Sequence, residues 1–412
     1  MTKRISPYDA FIFLDKRIYN PGDVLTGTLE LDLTRRLNCD LISLKVYGSA
    51  RVFFTEFKTE PGHLSKTVAY EQEKVLLDLK TDVWKSNAVR DPARELSIDD
   101  IVRLSSSTSI SPRRVQKADQ DGLEIGRYKF PFSLKLPESG LETSFDANHS
   151  AGCIRYFVQM DATRSGFSSF RKKQLFPIVR PVNLTCNKAA LGNFEVEKTY
   201  QTRKGNVDVK LSLPKVGFVP GEPVIGEITI KNRTDKSIKY SHLCLTQQAF
   251  CYSTYPEVKI KETFFEAAGV GLPIKKVTVG DTYTYPIQFY ISALAPSFEM
   301  AGIISVNYFL QLKIGFERNC PSKSLIISIK APVIIGTHSP FNSDKGAATS
   351  SSQTSPPKYT EVPSSYDSPP PYSVCTNDAG ISSLPGVDDA DLAGYTPLYY
   401  YSEQEDNLRK RK

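Results

Sequence analysis

One stretch of this chain occurs twice, and that duplication constrains the fold more than any other feature. Tyr19-Asn20-Pro21-Gly22-Asp23-Val24-Leu25-Thr26-Gly27-Thr28-Leu29-Glu30-Leu31 returns as Phe218-Val219-Pro220-Gly221-Glu222-Pro223-Val224-Ile225-Gly226-Glu227-Ile228-Thr229-Ile230. The shared pattern is Pro-Gly-acid followed by alternating aliphatic positions, which describes a half-buried strand entered from a tight turn. Later segments match in the same order. Tyr128-Lys129-Phe130-Pro131-Phe132 answers to Tyr283-Thr284-Tyr285-Pro286-Ile287, and Ser144-Phe145-Asp146 to Ser297-Phe298-Glu299. Ile154-Arg155-Tyr156-Phe157-Val158 answers to Val306-Asn307-Tyr308-Phe309-Leu310, and Pro177-Ile178-Val179 to Pro332-Val333-Ile334.

The opening motifs stand 199 positions apart and the later pairs 152 to 155, so the first copy holds about 44 extra residues. Their place is 86 to 121, where Ser105-Ser106-Ser107-Thr108-Ser109, Pro92, Pro112 and scattered charge replace apolar alternation; this reads as a flexible insertion. Elsewhere up to residue 336 short alternating stretches, such as Leu41-Ile42-Ser43-Leu44-Lys45-Val46-Tyr47, are punctuated by Gly, Pro, Asn and Ser. Helical periodicity is nearly absent. The expected fold is all-β: two tandem immunoglobulin-like sandwiches, 1 to 182 and 183 to 338, with a strand-poor hinge near 181 to 206.

Residues 339 to 412 change character. From 340 onward they hold nine prolines, much Ser, Thr and Asp, and few aliphatics, too little to offset the entropy of folding, so a disordered tail is expected. This tail contains Pro356-Pro357-Lys358-Tyr359 and Pro369-Pro370-Pro371-Tyr372. Consecutive prolines favour polyproline II, whose ring faces fit between the aromatic rings of a WW domain, and the tyrosine fills a second pocket. Pro356, Pro357, Tyr359, Pro369, Pro370 and Tyr372 are therefore the candidate binding residues, and two copies allow avidity. Tyr399-Tyr400-Tyr401 fits either a sorting or phosphorylation element or an inert aromatic stretch; Arg409-Lys410-Arg411-Lys412 reads as a solvated charged terminus.

Net charge is +7, yet residues 340 to 412 carry six Lys/Arg against ten Asp/Glu, leaving about +11 on the preceding part. That excess suits anionic surfaces, whether inner-leaflet lipid, acidic or phosphorylated cargo tails or nucleic acid, or equally a merely soluble surface; of these the expected partners include peripheral acidic membrane and no nucleic acid. Seven cysteines without a CxxC pair are expected as reduced thiols. The N-terminus has no secretory core and no apolar run approaches a membrane span, so the expected place is the cytosol, where the sequons at Asn148, Asn183 and Asn232 carry no glycan. Four histidines, at 63, 149, 242 and 338, form no catalytic motif, and no catalytic residue or cofactor is expected. His242, Cys244 and Cys251 come nearest to a metal cluster but lack a fourth ligand and read as core or edge residues, with no metal expected.

The duplicated sandwiches, the Pro-Gly-acid strands, the Pro296-Ser297-Phe298 turn, the closing segment Lys330 to Thr337 and the PPxY tail together resemble the α-arrestins, the arrestin-domain-containing proteins, over about residues 8 to 372. The resemblance implies a non-enzymatic adaptor. Its arrestin domains would hold membrane receptors or transporters as cargo, while the PPxY residues bind WW domains of a Nedd4-class HECT ubiquitin ligase. Cargo would then be ubiquitinated, internalised and sorted, with the chain recruited from cytoplasm to plasma membrane and endosomes. The alternative is an arrestin-fold trafficking or coat scaffold, retromer-like, that works without a ligase.

Overall fold

Each Pro-Gly-acid motif builds the same device. Gly22 and Gly221 adopt φ of 83° and 91°, a left-handed turn that favours glycine. The acid that follows folds back: Asp23 Oδ2 accepts from the Asn20 amide (3.0 Å) and Glu222 Oε2 from the Val219 amide (3.1 Å). A lysine seven positions earlier pairs with that same oxygen, Lys16 at 3.2 Å and Lys215 at 3.0 Å. Each lysine also lies over the aromatic ring that opens its motif, Tyr19 at 5.9 Å and Phe218 at 5.1 Å. The duplication thus repeats a complete turn, from lysine and ring to glycine and acid.

The computed structural model describes residues 7–58, 66–86, 122–147, 150–203, 205–318, 325–338 and 395–400. The six candidate PPxY residues lie outside these, as do 87 to 121 of the expected insertion, Asn148, Cys320, Cys375 and the basic C-terminus. Ser86, the first residue of that insertion, is instead buried, and its amide donates to the Asp40 carbonyl at 2.8 Å.

The strands are β1 (Tyr8–Leu14), β2 (Val24–Leu33), β3 (Leu41–Lys58), β4 (Lys66–Lys85), β5 (Gly126–Lys135), β6 (Gly152–Arg164) and β7 (Phe167–Phe176). A four-residue helix α1 (Lys188–Leu191) follows, then β8 (Phe194–Thr202), β9 (Gly205–Leu213), β10 (Gly217–Phe218), β11 (Pro223–Asn232) and β12 (Tyr240–Ser253). The chain continues with β13 (Lys259–Gly271), β14 (Thr282–Tyr290), β15 (Phe298–Met300), β16 (Ile304–Gly315) and β17 (Leu325–Ile335). The architecture is all-β.

Sheet order carries the duplication through. The order β1-β2-β5 corresponds to β9-β11-β14, with β8 added outside β9. The order β4-β3-β6-β7 corresponds to β13-β12-β16-β17, with β10 paired in parallel outside β17 and β15 on β16. Along β2 the inward residues are Leu25, Leu29, Leu31 and Leu33, and along β11 they are Val224, Ile228 and Ile230, all buried. Each such side chain contributes about 1.5–3 kcal/mol on leaving water.

By contacts the chain divides into two compact units. Unit 1 comprises Met1–Ser49, Val75–Leu141 and Arg155–Phe176; unit 2 comprises Ala50–Lys74, Glu142–Ile154 and Pro177–Lys412. In unit 1, Tyr8 of β1 meets Phe170 of β7 at 5.7 Å, and Phe176 meets the buried rings of Tyr19 and Tyr156 at 5.6 and 6.2 Å. In unit 2, Tyr285 of β14 and Ser241 of β12 join the two sheets through a buried hydrogen bond of 2.7 Å.

The Ser-Phe pair common to both halves closes each of them alike. Ser144 exchanges backbone with Ile178 (2.7 Å) and its Oγ accepts the Ile178 amide (2.9 Å). Ser297 does the same to Ile335, at 2.8 and 3.0 Å. The following phenylalanines, Phe145 and Phe298, meet edge to face at 6.0 Å within unit 2.

The expected hinge at 181 to 206 is corrected. Asn187 caps α1, its Oδ1 accepting from Ala189 (3.0 Å) and Ala190 (3.3 Å), and β8 then pairs with β9 from Phe194↔Leu213 to Thr202↔Gly205. As the last strand of its sheet, β8 leaves most side chains exposed, and its alternation of Phe194, Val196 and Tyr200 with Glu195, Glu197 and Gln201 is short and interrupted by Lys198.

The sequons have local structural work. Asn183 Oδ1 accepts from the Thr185 amide (2.9 Å) and hydroxyl (2.7 Å), an Asx turn. Asn232 is fully buried. Its amide therefore cannot carry a glycan in the folded chain. The described cysteines form no disulfide with one another, with Cys39, Cys153, Cys244 and Cys251 buried and Cys186 exposed.

Candidate functional site

In unit 2 the end of β3, the start of β4 and the turn from β12 to β13 bring a ring and four charges together. Tyr70 is fully buried and stacked on Phe54, centroids 5.1 Å apart at 15°. Lys58 and Lys259 approach its ring, 5.7 and 5.6 Å from the centroid. The Tyr70 hydroxyl donates to Glu257 Oε1 at 3.1 Å, and Lys58 Nζ donates to the same oxygen at 2.7 Å. Lys259 pairs with Glu56 at 2.9 Å. Backbone bonds between Glu71 and Tyr255, at 2.9 and 3.2 Å, fix the turn against β4.

The electrostatics follow from these bonds. Donation by Lys58 and then by Tyr70 holds the Glu257 carboxyl below the usual carboxylate range. Lys58 is pushed above the ordinary lysine value, first by its bond to Glu257 and then by Tyr70. Lys259 rises through Glu56. Lys58, Glu257 and Lys259 are thus held in their charged forms around neutral pH, and the cluster pairs two basic with two acidic side chains. Such a group orders the turn between β12 and β13 against the end of β3.

What it holds in shape is apolar. Phe57, Tyr255 and Val258, the chain neighbours of these charges, are 82%, 66% and 76% exposed. Ile260 and Phe264 on β13 are also exposed. Large apolar side chains set out from a rigid ion-paired base form a surface suited to a protein or lipid partner. Sequence reading missed this cluster. The charges looked like ordinary surface, and the one usable signal was Tyr255-Pro256-Glu257-Val258, two large apolar residues flanking a turn.

The His242 and Cys244 pair is joined not by Cys251 but by Glu266, with all three ligand atoms within 4.8 Å of one another. A register shift between Leu245 and Thr246 brings Glu266 of β13 beside them, whereas Cys251 Sγ lies against Ser150 Oγ at 3.5 Å. The donors are engaged already: His242 Nε2 with Glu266 Oε1 at 2.7 Å, and the Cys244 thiol with the Gln311 carbonyl at 3.5 Å. Burial raises the Cys244 thiol above its ordinary value, which opposes the thiolate a metal needs.

The fold and this geometry can be set beside known proteins. Residues 203–341 match the family model described as Arrestin (or S-antigen), C-terminal domain, and residues 104–185 the corresponding N-terminal domain, together just over half of the chain. The chain belongs to the arrestin-domain family. Among the relatives of this arrestin-domain protein, Protein ttm-2 of Caenorhabditis elegans is 23% identical over 328 residues, covering 79% of this chain and 88% of that protein. Arrestin domain-containing protein A of Dictyostelium discoideum is 24% identical over 234 residues, 55% of this chain and 35% of that one. The pH-response regulator protein palF/RIM8 of Yarrowia lipolytica is 25% identical over 210 residues, 47% of this chain and 22% of that one. The arrestin-domain chain thus matches most of the first relative but only about a third and a fifth of the other two. The matches cover β5 to β7 and β9 to β17, in agreement with the α-arrestin resemblance of the sequence.

Proposed function

We propose that this arrestin-domain chain is a non-enzymatic trafficking adaptor linking membrane-protein cargo to a Nedd4-class HECT ubiquitin ligase. The observation that carries the reading is the presence in one chain of two arrestin domains and two PPxY motifs. The exposed edge of Phe57, Tyr255 and Val258 is the surface offered to cargo. Pro356, Pro357, Tyr359 and Pro369, Pro370, Tyr372 recruit the ligase, which supplies its own catalytic cysteine, and the adaptor contributes proximity. In this reading the chain works on the cytoplasmic side of plasma membrane and endosomes.

The test is cross-linked capture of membrane proteins on the full-length chain, with ubiquitin read on what is captured. The wild type should hold ubiquitinated membrane proteins together with a HECT ligase, and Tyr359→Ala/Tyr372→Ala should hold the same proteins without ligase or ubiquitin. Coat subunits captured equally by both chains, with no ligase on either, would overturn the reading in favour of a coat scaffold.

A further inference from the structure

Residues 395–400, Tyr-Thr-Pro-Leu-Tyr-Tyr, take a defined place in unit 2, although 56 residues separate them from His338, the last described residue before them. Their burial alternates: Tyr395, Pro397 and Tyr399 turn inward while Thr396 and Leu398 face out, Leu398 being 52% exposed. That is the pattern of an extended peptide lying on a surface. None of the six residues belongs to a strand. The segment is anchored by a side-chain bond, as a docked peptide ligand is.

The anchor is Tyr399, whose hydroxyl donates to the Ser144 carbonyl at 3.0 Å. That acceptor is rigid, because Ser144 is tied to Ile178 through both its amide and its Oγ. Tyr308 acts electrostatically on Tyr399, and its own hydroxyl is committed, accepting from Gln247 Nε2 at 2.6 Å and donating to the Ala295 carbonyl at 2.8 Å. Burial, followed by Tyr308, Tyr395 and Asp146, raises Tyr399 well above the ordinary tyrosine value. A carbonyl acceptor with a carboxylate nearby accepts a neutral donor and opposes an anion. An unmodified phenol satisfies the site; a phosphotyrosine, a dianion without that donor, does not.

We propose that unit 2 carries a tyrosine-peptide-binding site, formed around the Ser144 carbonyl, Asp146 and Tyr308, whose resident ligand is the chain's own Tyr395–Tyr400 segment. Its ligand class is an extended, unphosphorylated Tyr-x-Pro-x-Tyr peptide. Because the occupant is part of the same chain, it competes at high effective concentration against any peptide added in solution. In the sequence both PPxY motifs fall between His338 and Tyr395.

The site is tested with full-length chains and a fluorescein-labelled peptide of residues 392 to 402, by anisotropy. The Tyr399→Ala chain, its pocket vacated, should bind the peptide at least about tenfold more tightly than wild type, where the resident segment competes. Leu398→Ala, which changes an exposed side chain, should bind as weakly as wild type. The same peptide phosphorylated at the tyrosine equivalent to Tyr399 should lose binding to the Tyr399→Ala chain. Equal binding by wild type and Tyr399→Ala, no binding by either, or equal binding of the phosphorylated peptide would overturn the proposal.

Discussion

Asn232→Ala tests how the repeated strand β11 is terminated. The buried Asn232 amide donates to the carbonyls of Lys236 (2.8 Å), Thr278 (3.1 Å) and Val277 (3.3 Å), and its Oδ1 accepts from the Thr234 amide (3.2 Å) and hydroxyl (2.8 Å). One side chain thereby ties the 232–236 turn to the 277–278 loop. Alanine removes all of these bonds and leaves the amide of buried Thr234 without its acceptor, while the Lys236, Val277 and Thr278 carbonyls keep Thr234 Oγ1, the Ile238 amide and the Asp281 amide. A net hydrogen bond is worth about 1 kcal/mol and an orphaned buried polar group about 1–3, so the loss should be roughly 2–4 kcal/mol, near the upper end for one substitution. At about 1.4 kcal/mol per tenfold, amide exchange of β9 and β11 through opening of unit 2 should accelerate roughly 30- to 1000-fold. Trp84, the single tryptophan, lies in unit 1, so its fluorescence transition serves as an internal control. Acceleration below about threefold would show that the amide network does not hold the turn, refuting the reasoning.

Further outcomes follow from the same structure. Burial raises Tyr285 to about 12, the bond from Ser241 opposing. The folded value exceeds the unfolded one of about 10, so the stability this neutral tyrosine contributes is intact below that pH and lost as pH climbs from about 10 to 12. Tyrosinate absorbance should show a late-ionising tyrosine that Tyr285→Phe removes. Cys39, buried and pushed up to about 11, should resist alkylation along with Cys153, Cys244 and Cys251, whereas exposed Cys186 reacts before these four. Peptide mass mapping after brief alkylation checks this, and equal labelling of Cys39 and Cys186 would contradict it. Phe57→Ser/Val258→Ser changes two exposed side chains, so stability should move by about 0.5 kcal/mol or less while capture of membrane cargo falls severalfold. Unaltered capture would remove this edge from the cargo surface.

The sequence made the duplication legible because its physical causes are local. Glycine at positive φ, an acid three residues from the amide it caps, and a serine bonding to the closing strand recur as nearly the same letters at the same spacing. Contacts that depend on distant pairing were not legible. The Tyr70 cluster draws Glu56 and Lys58, then Glu257 and Lys259, from opposite ends of two long strands. Glu266 reaches His242 only because of a register shift between β12 and β13. Strand β8 eluded the pattern because its short alternation, Phe194, Val196 and Tyr200, is interrupted by Lys198 and mostly exposed on a sheet's outer strand, and its pairing with β9 fixes it. Tyr399-Tyr400-Tyr401 remained ambiguous as letters, since what selects Tyr399 is a carbonyl 255 positions earlier.

Calorimetric titration of the full-length chain with a multi-WW fragment of a Nedd4-class ligase, beside Tyr359→Ala/Tyr372→Ala, tests the adaptor reading most directly. Wild type should bind at about low-to-mid micromolar affinity per motif, tighter when both motifs engage, and the double variant should show no binding. No heat from the wild type, or equal binding by the double variant, would contradict it.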